Sequence, residues 1–133
     1  MSRRLFRLSF MLGLLLAGEA GAIGLGEIRL DSALNEPLRA EIDLLSATPE
    51  ELAGLQISLA PREIFDRYGI DRPAYLQSMR FKILTDSAGD AVIQVTSPGA
   101  ITEPFLTFLI EASWSSGRLL REYTVLLDPP TYA

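Results

Sequence analysis

The 133-residue chain carries 12 Lys and Arg against 17 Asp and Glu, and it contains neither cysteine nor histidine. Without a thiol or an imidazole, disulfide staples, Ser-His-Asp catalysis and the usual zinc sites drop out. A net charge of −5, with no basic cluster beyond Arg7, argues against nucleic acid and anionic membrane surfaces, whose affinity rests on clustered cations.

The first element reads as an export signal. Arg3, Arg4 and Arg7 form a basic start, Leu8 to Ala17 form an apolar core, and Ala20-Gly21-Ala22 places small residues around a cleavage point after Ala22. The apolar run is about ten residues, half of what a bilayer span requires. Cleavage therefore suits it better than a retained anchor. The expectation is a signal peptide over 1–22 and one β domain over 23–133, delivered to the periplasm of a Gram-negative cell with no stable membrane span after cleavage. That domain keeps nine basic and sixteen acidic residues, with Lys82 as its one lysine.

Beyond the leader, Gly24-x-Gly26 reads as a flexible tether rather than a phosphate loop, since no strand precedes it and no helix opens from it. Glu27 to Asp31 alternates charged and apolar residues and predicts a strand. Ser32 to Pro37 is a turn. From Leu38 the alternation is clean: Leu38, Ala40, Ile42 and Leu44 share one face, and Arg39, Glu41 and Asp43 the other. Thr48-Pro49-Glu50-Glu51 predicts a short helix with Thr48 as cap, Pro49 in the first turn and Glu51 closing a capping box. Leu55, Ile57 and Leu59 then return to a period of two.

A second short helix is predicted over Arg62 to Arg67, with Ile64 and Phe65 inward and an end near Gly69. Pro73 to Leu76 reads equally as loop or as one helical turn. Phe81 to Leu84 and Ala91 to Thr96 form a hairpin about Asp86-Ser87-Ala88-Gly89-Asp90, and Ser97-Pro98-Gly99 breaks the chain. Phe105 to Trp114 is a long strand with Leu106, Phe108, Ile110, Ala112 and Trp114 on one face. Ser115 to Arg118 turns it into Leu119 to Asp128, stopped by Pro129-Pro130. For this last hairpin the preferred register sets Trp114 opposite Leu119 and Glu111 opposite Glu122. A bulged alternative pairs Glu111 with Arg121. Some seven short strands at regular spacing predict a mainly β fold, an immunoglobulin-like β-sandwich or a partly open barrel, with one or two short helices.

Chemistry has few candidates. Glu103, Glu111, Glu122 and Asp128 are the acids a paired-carboxylate site could use, and solvated surface positions explain them as well. Asp86 and Asp90 flank Gly89 without the further spaced oxygens of a calcium loop. Trp114 is either a core plug near the hairpin end or an aromatic anchor for a partner. Arg121 either lies along a sheet edge or pairs with Glu111. No catalytic residue, metal site or cofactor is assigned.

Two blocks carry a resemblance. GLGEIRLDSALNEPLRAEIDLL (Gly24 to Leu45) and EPFLTFLIEASWSSGRLLREYTVLLDPP (Glu103 to Pro130) are similar to the N-terminal periplasmic domain of the FimV family, also called HubP or TspA. The second block is the more specific, joining EPFL, a Trp before a Gly-Arg turn, REYT and LLDPP in one order. Ser115 stands where the family would carry proline, which would leave the turn looser. The resemblance implies a region preceding a peptidoglycan-binding LysM module, a transmembrane helix and an acidic cytoplasmic tail, in proteins that support type IV pilus assembly, twitching motility and cell-pole positioning. The present residues match only the first of those parts.

The combined expectation is a non-catalytic protein-interaction module whose partners are envelope assembly proteins of a pilus or secretion system. The alternatives are a peptidoglycan or glycan binder, stacking on Trp114 or Tyr123, and a structural remnant of a longer protein. Candidate interaction residues are Trp114, Arg118, Arg121, Tyr123 and Ile28. The expected route is pairing at an open sheet edge, either Glu27 to Asp31 or Leu119 to Asp128.

Overall fold

Strand β2 (Pro37–Leu45) shows why this chain makes sheets. Its alternating Leu38, Ala40, Ile42 and Leu44 are all buried, while Arg39 stays in water. Each fully buried aliphatic side chain of this kind stabilises the folded state by about 2 kcal/mol before entropy is counted. The structure, a computed structural model, describes residues 23–129; the expected leader, its cleavage point and Pro130 lie outside the described residues. Among the described residues no helix is long and apolar enough to cross a membrane.

Among the described residues seven strands form two antiparallel sheets. β1 (Gly24–Leu30), β2, β5 (Ala91–Ala100) and β4 (Arg80–Thr85) lie side by side in that order, and β3 (Gln56–Leu59), β6 (Phe105–Trp114) and β7 (Gly117–Leu126) make the second sheet. This partition of strands one, two, five and four against three, six and seven is that of the constant-type immunoglobulin sandwich. No ladder joins β1 to β7 or β3 to β4 among the described residues, so the sheets do not close into a barrel. Ile42 and Ile93 from one sheet and Phe108 and Ile110 from the other, all at 0% exposure, form the centre of the core.

Helix α1 (Pro49–Gly54) starts as its sequence predicts: the Glu51 N–H donates to Thr48 Oγ1 at 3.2 Å and the Thr48 N–H donates to Glu51 Oε1 at 3.1 Å. Helix α2 (Arg62–Arg67) buries Phe65 completely and half-buries Ile64. It ends into Gly69, whose φ of +67° is the left-handed conformation glycine adopts without a Cβ clash. The open question over Pro73 to Leu76 resolves as a 3₁₀ turn, Ala74–Ser78, that drives Leu76 into the core.

Three expectations need correction. Gly24-x-Gly26 is not a tether but the first half of β1. There Gly26 and Glu27 together oppose Asp43, because Leu25 pairs with Leu44 and Ile28 with Ile42. A Cβ on Gly26 would lie 2.9 Å from Asp43 Cβ, so glycine is required by close approach rather than flexibility. Ser97-Pro98-Gly99 does not end β5 either. The strand continues to Ala100 through a bulge opposite Leu38, and Ser97 Oγ replaces the missing ladder bond: it accepts the Leu38 N–H at 2.8 Å and donates to Gly99 O at 2.7 Å.

The third correction is the last hairpin. Trp114 pairs with Gly117, leaving a two-residue loop of Ser115 and Ser116, and Ala112 faces Leu119. The apolar parity is as expected, but the register is slipped by two residues. Glu111 accordingly faces Leu120 rather than Glu122 or Arg121.

Candidate interaction surface

A two-sheet sandwich has four edge strands, and here they differ in how they are protected. β3 offers four residues only. β4 carries exposed Arg80 and Lys82, charges that discourage strand addition. β1 is bulged between Leu25 and Ile28. β7 runs ten residues with an unbroken register to β6 and, among the described residues, pairs with no other strand.

The direction of the β7 backbone follows from its neighbours. Leu109 O accepts from the Ala60 N–H, so the odd residues of β6 point their backbone groups toward β3 and the even ones toward β7. Their partners on β7 are odd-numbered, and the Leu127 N–H continues the pattern by donating to Pro104 O. The N–H and C=O groups of Arg118, Leu120, Glu122, Thr124 and Leu126 therefore face the open edge.

The β1 edge is closed by a clasp from β7. Arg121 Nη1 donates to Gly26 O at 2.8 Å and also to Leu25 O, and the Tyr123 hydroxyl donates to Gly26 O at 2.7 Å. The guanidinium carbon sits 4.8 Å from the centre of the Tyr123 ring, which leans on Phe108 at 5.9 Å. The clasp gives side-chain donors to two carbonyls at the bulge. Arg121 is thus neither along an open edge nor paired with Glu111; that carboxylate takes Arg118, at 3.0 Å.

Burial pushes the Tyr123 phenol up to about 12; the nearby Asp43 charge adds to the rise and Arg121 opposes it. Ionisation would also remove the proton donated to Gly26 O. Because the folded value lies above the ordinary one of 10.0, this group's contribution to stability is complete below pH 10 and is lost as pH rises toward about 12. In an absorbance titration Tyr123 is expected to ionise well above pH 10 and together with unfolding; its ionisation near pH 10 with the fold intact would contradict the clasp.

The outer face of β6 and β7 carries apolar residues on the parity that should be polar. Phe105 and Leu126 are cross-strand partners at 65% and 57% exposure, and Tyr68, just after α2, is 58% exposed. Between Tyr68 and β7 runs a groove of about 280 Å³ with Leu109 and Leu120 in its floor. Sequence reasoning missed Phe105, Leu126 and Tyr68. Their signal was available in principle, since the first two are apolar on the solvent parity of their strands.

The expected contact residues fall in different settings. Trp114 is half-buried and folds back over Gly117, where a Cβ would come within 3.0 Å of the indole. Arg118 is exposed, with Glu111 as its ion-pair partner. Tyr123 is 4% exposed and its ring belongs to the core. Ile28 is half-buried in β1 and packs on the core. The structure brings Arg121 and Tyr123 together and leaves Trp114, Arg118 and Ile28 apart from that pair. Glu103, Glu122 and Asp128 are exposed and form no enclosed acid pair. Asp86 Oδ1 accepts from the N–H groups of Ala88 and Asp90, both at 2.9 Å, which is turn chemistry. Among the described residues no group of three or more acids is placed to hold a metal ion.

Residues 23–130 match the family model described as the FimV N-terminal domain, an Ig-like domain. The motility hub protein FimV of Pseudomonas aeruginosa, from strains PAO1 and UCBPP-PA14, is 47% identical over 131 residues, covering 98% of this chain and 14% of the relative. The chain thus spans about one seventh of the length of these relatives. Among solved structures, the BIgI domain of beta protein from S. agalactiae, bound to CEACAM1, matches 79% of this chain and 100% of its own at 12% identity and a TM-score of 0.41.

Proposed function

The chain belongs to the family of FimV N-terminal Ig-like domains, and from that premise we propose that it is a periplasmic, non-catalytic protein-interaction module that helps assemble or position type IV pilus or secretion machinery. The observation that carries this reading is the open β7 edge, the longest of the four, with an unbroken register and no lysine. An extended segment of another chain adds to such an edge through main-chain hydrogen bonds, with alternate side chains setting specificity. The strand donor is a protein of the envelope assembly machinery, copies of the hub included. The glycan-binding alternative has less support, because the Tyr123 ring is enclosed and cannot serve as a stacking platform.

A benzophenone probe replacing Thr124, whose backbone faces the open edge, tests this in whole cells. Crosslinks from Thr124 to a pilus or secretion assembly protein are expected, with none from the same probe replacing Lys82 on β4. No crosslink from Thr124, or equal crosslinking from both edges, overturns the reading.

A further inference from the structure

We infer that the strand completing the β7 edge is β7 of a second copy of this chain, laid antiparallel about a two-fold axis through Leu120. This rests on the strand-pairing reading above and names its occupant. An antiparallel self-pairing must set residues of equal backbone orientation opposite each other, so each possible register has a centre within the strand. Centred on Glu122, two carboxylates meet directly. Centred on Arg118, two guanidinium groups meet. Centred on Arg121, Leu120 faces Glu122; centred on Thr124, Leu126 faces Glu122.

Centred on Leu120, each Arg118 faces Glu122 of the partner, twice by symmetry, and the two Leu120 side chains meet on the axis. Of the registers that keep both residues of every pair within Gly117–Leu126, this is the one that sets opposite charges across from each other. It also exchanges about six backbone hydrogen bonds between Arg118, Leu120 and Glu122 of the two copies.

Two features of the free domain suit this pairing. Arg118 is 72% exposed and meets Glu111 through Nε, and a guanidinium has further N–H donors with which to meet a second carboxylate. The inward side chains of β7, Arg121 and Tyr123, are committed to β1 and hold the strand in place. The product is one continuous six-stranded sheet spanning both copies. A contact of this length lies at the small end of specific interfaces, so a dissociation constant on the order of 10 µM is expected.

Sedimentation equilibrium of the purified chain across that range tests the proposal. Glu122→Arg or Arg118→Glu alone turns two attractive pairs into two like-charge pairs and is expected to weaken the dimer about tenfold. The double reversal R118E/E122R is expected to restore it. Leu120→Pro removes a donor that faces the open edge, so it abolishes dimerisation while circular dichroism keeps the strand signal. Single reversals without effect, or a double reversal that does not rescue, overturn the register. A wild-type chain that stays monomeric throughout overturns self-pairing. In that case crosslinks from the Thr124 probe to a different assembly protein preserve the strand-pairing reading, and their absence removes both.

Discussion

Replacing Phe108 with alanine is expected to lower the unfolding free energy by about 3–5 kcal/mol, the cost of truncating a buried aromatic ring plus the cavity it leaves. Phe108 lies at 0% exposure on the central strand of the three-stranded sheet, where its ring meets Tyr123. No disulfide backs up the core, since the chain has no cysteine. A loss of this size approaches the whole stability of many small domains, about 5–15 kcal/mol. Urea unfolding followed through Trp114 fluorescence checks it. A change below about 1 kcal/mol would mean that the two sheets are not packed on each other through this ring.

Arg121→Met is expected to be the second most damaging change, by about 1–3 kcal/mol, because it withdraws a charged donor from the carbonyls of Leu25 and Gly26. Methionine keeps much of the side-chain length, so the loss reports hydrogen bonding more than packing. The effect should be local. Amide exchange is expected to accelerate in β1 while β6 and β7 keep their protection. Tyr123→Phe removes the other donor to Gly26 O. The double variant leaves that buried carbonyl with neither donor, and its cost should exceed the sum of the two single ones. Strictly additive costs, or uniform acceleration of exchange, would show that the two side chains do not act together on β1.

These expectations bear on function because the clasp and the open edge belong to the same strand. The inward parity of β7 holds β1 and so closes one edge, while its outward parity leaves another edge free. A substitution on the inward parity should therefore alter stability, and one on the outward parity should alter association. Arg118 and Arg121 are three residues apart and chemically alike, yet they fall on opposite sides of this division.

The period of two in the amino-acid sequence determined where most strands lie, which faces they bury and the mainly β class, since alternating apolar residues have one stable arrangement, with the greasy face on a core. The ends of β1 and β5, and the choice of sandwich over barrel, it left open. The capping box likewise placed the Thr48 cap, whose chemistry is complete within four residues, whereas Arg118, read as part of the turn, lies inside β7. Tertiary structure alone decided the hairpin register, the bulges opposite Asp43 and Leu38, the partner of Arg121 and which edge stays open. The physical reason is that a slip of two residues keeps every side chain on its face, so alternation cannot distinguish one register from the next. The clasp joins residues about 96 positions apart in the chain, and only the approach of β1 to β7 across the edge of the sandwich brings them within hydrogen-bonding distance.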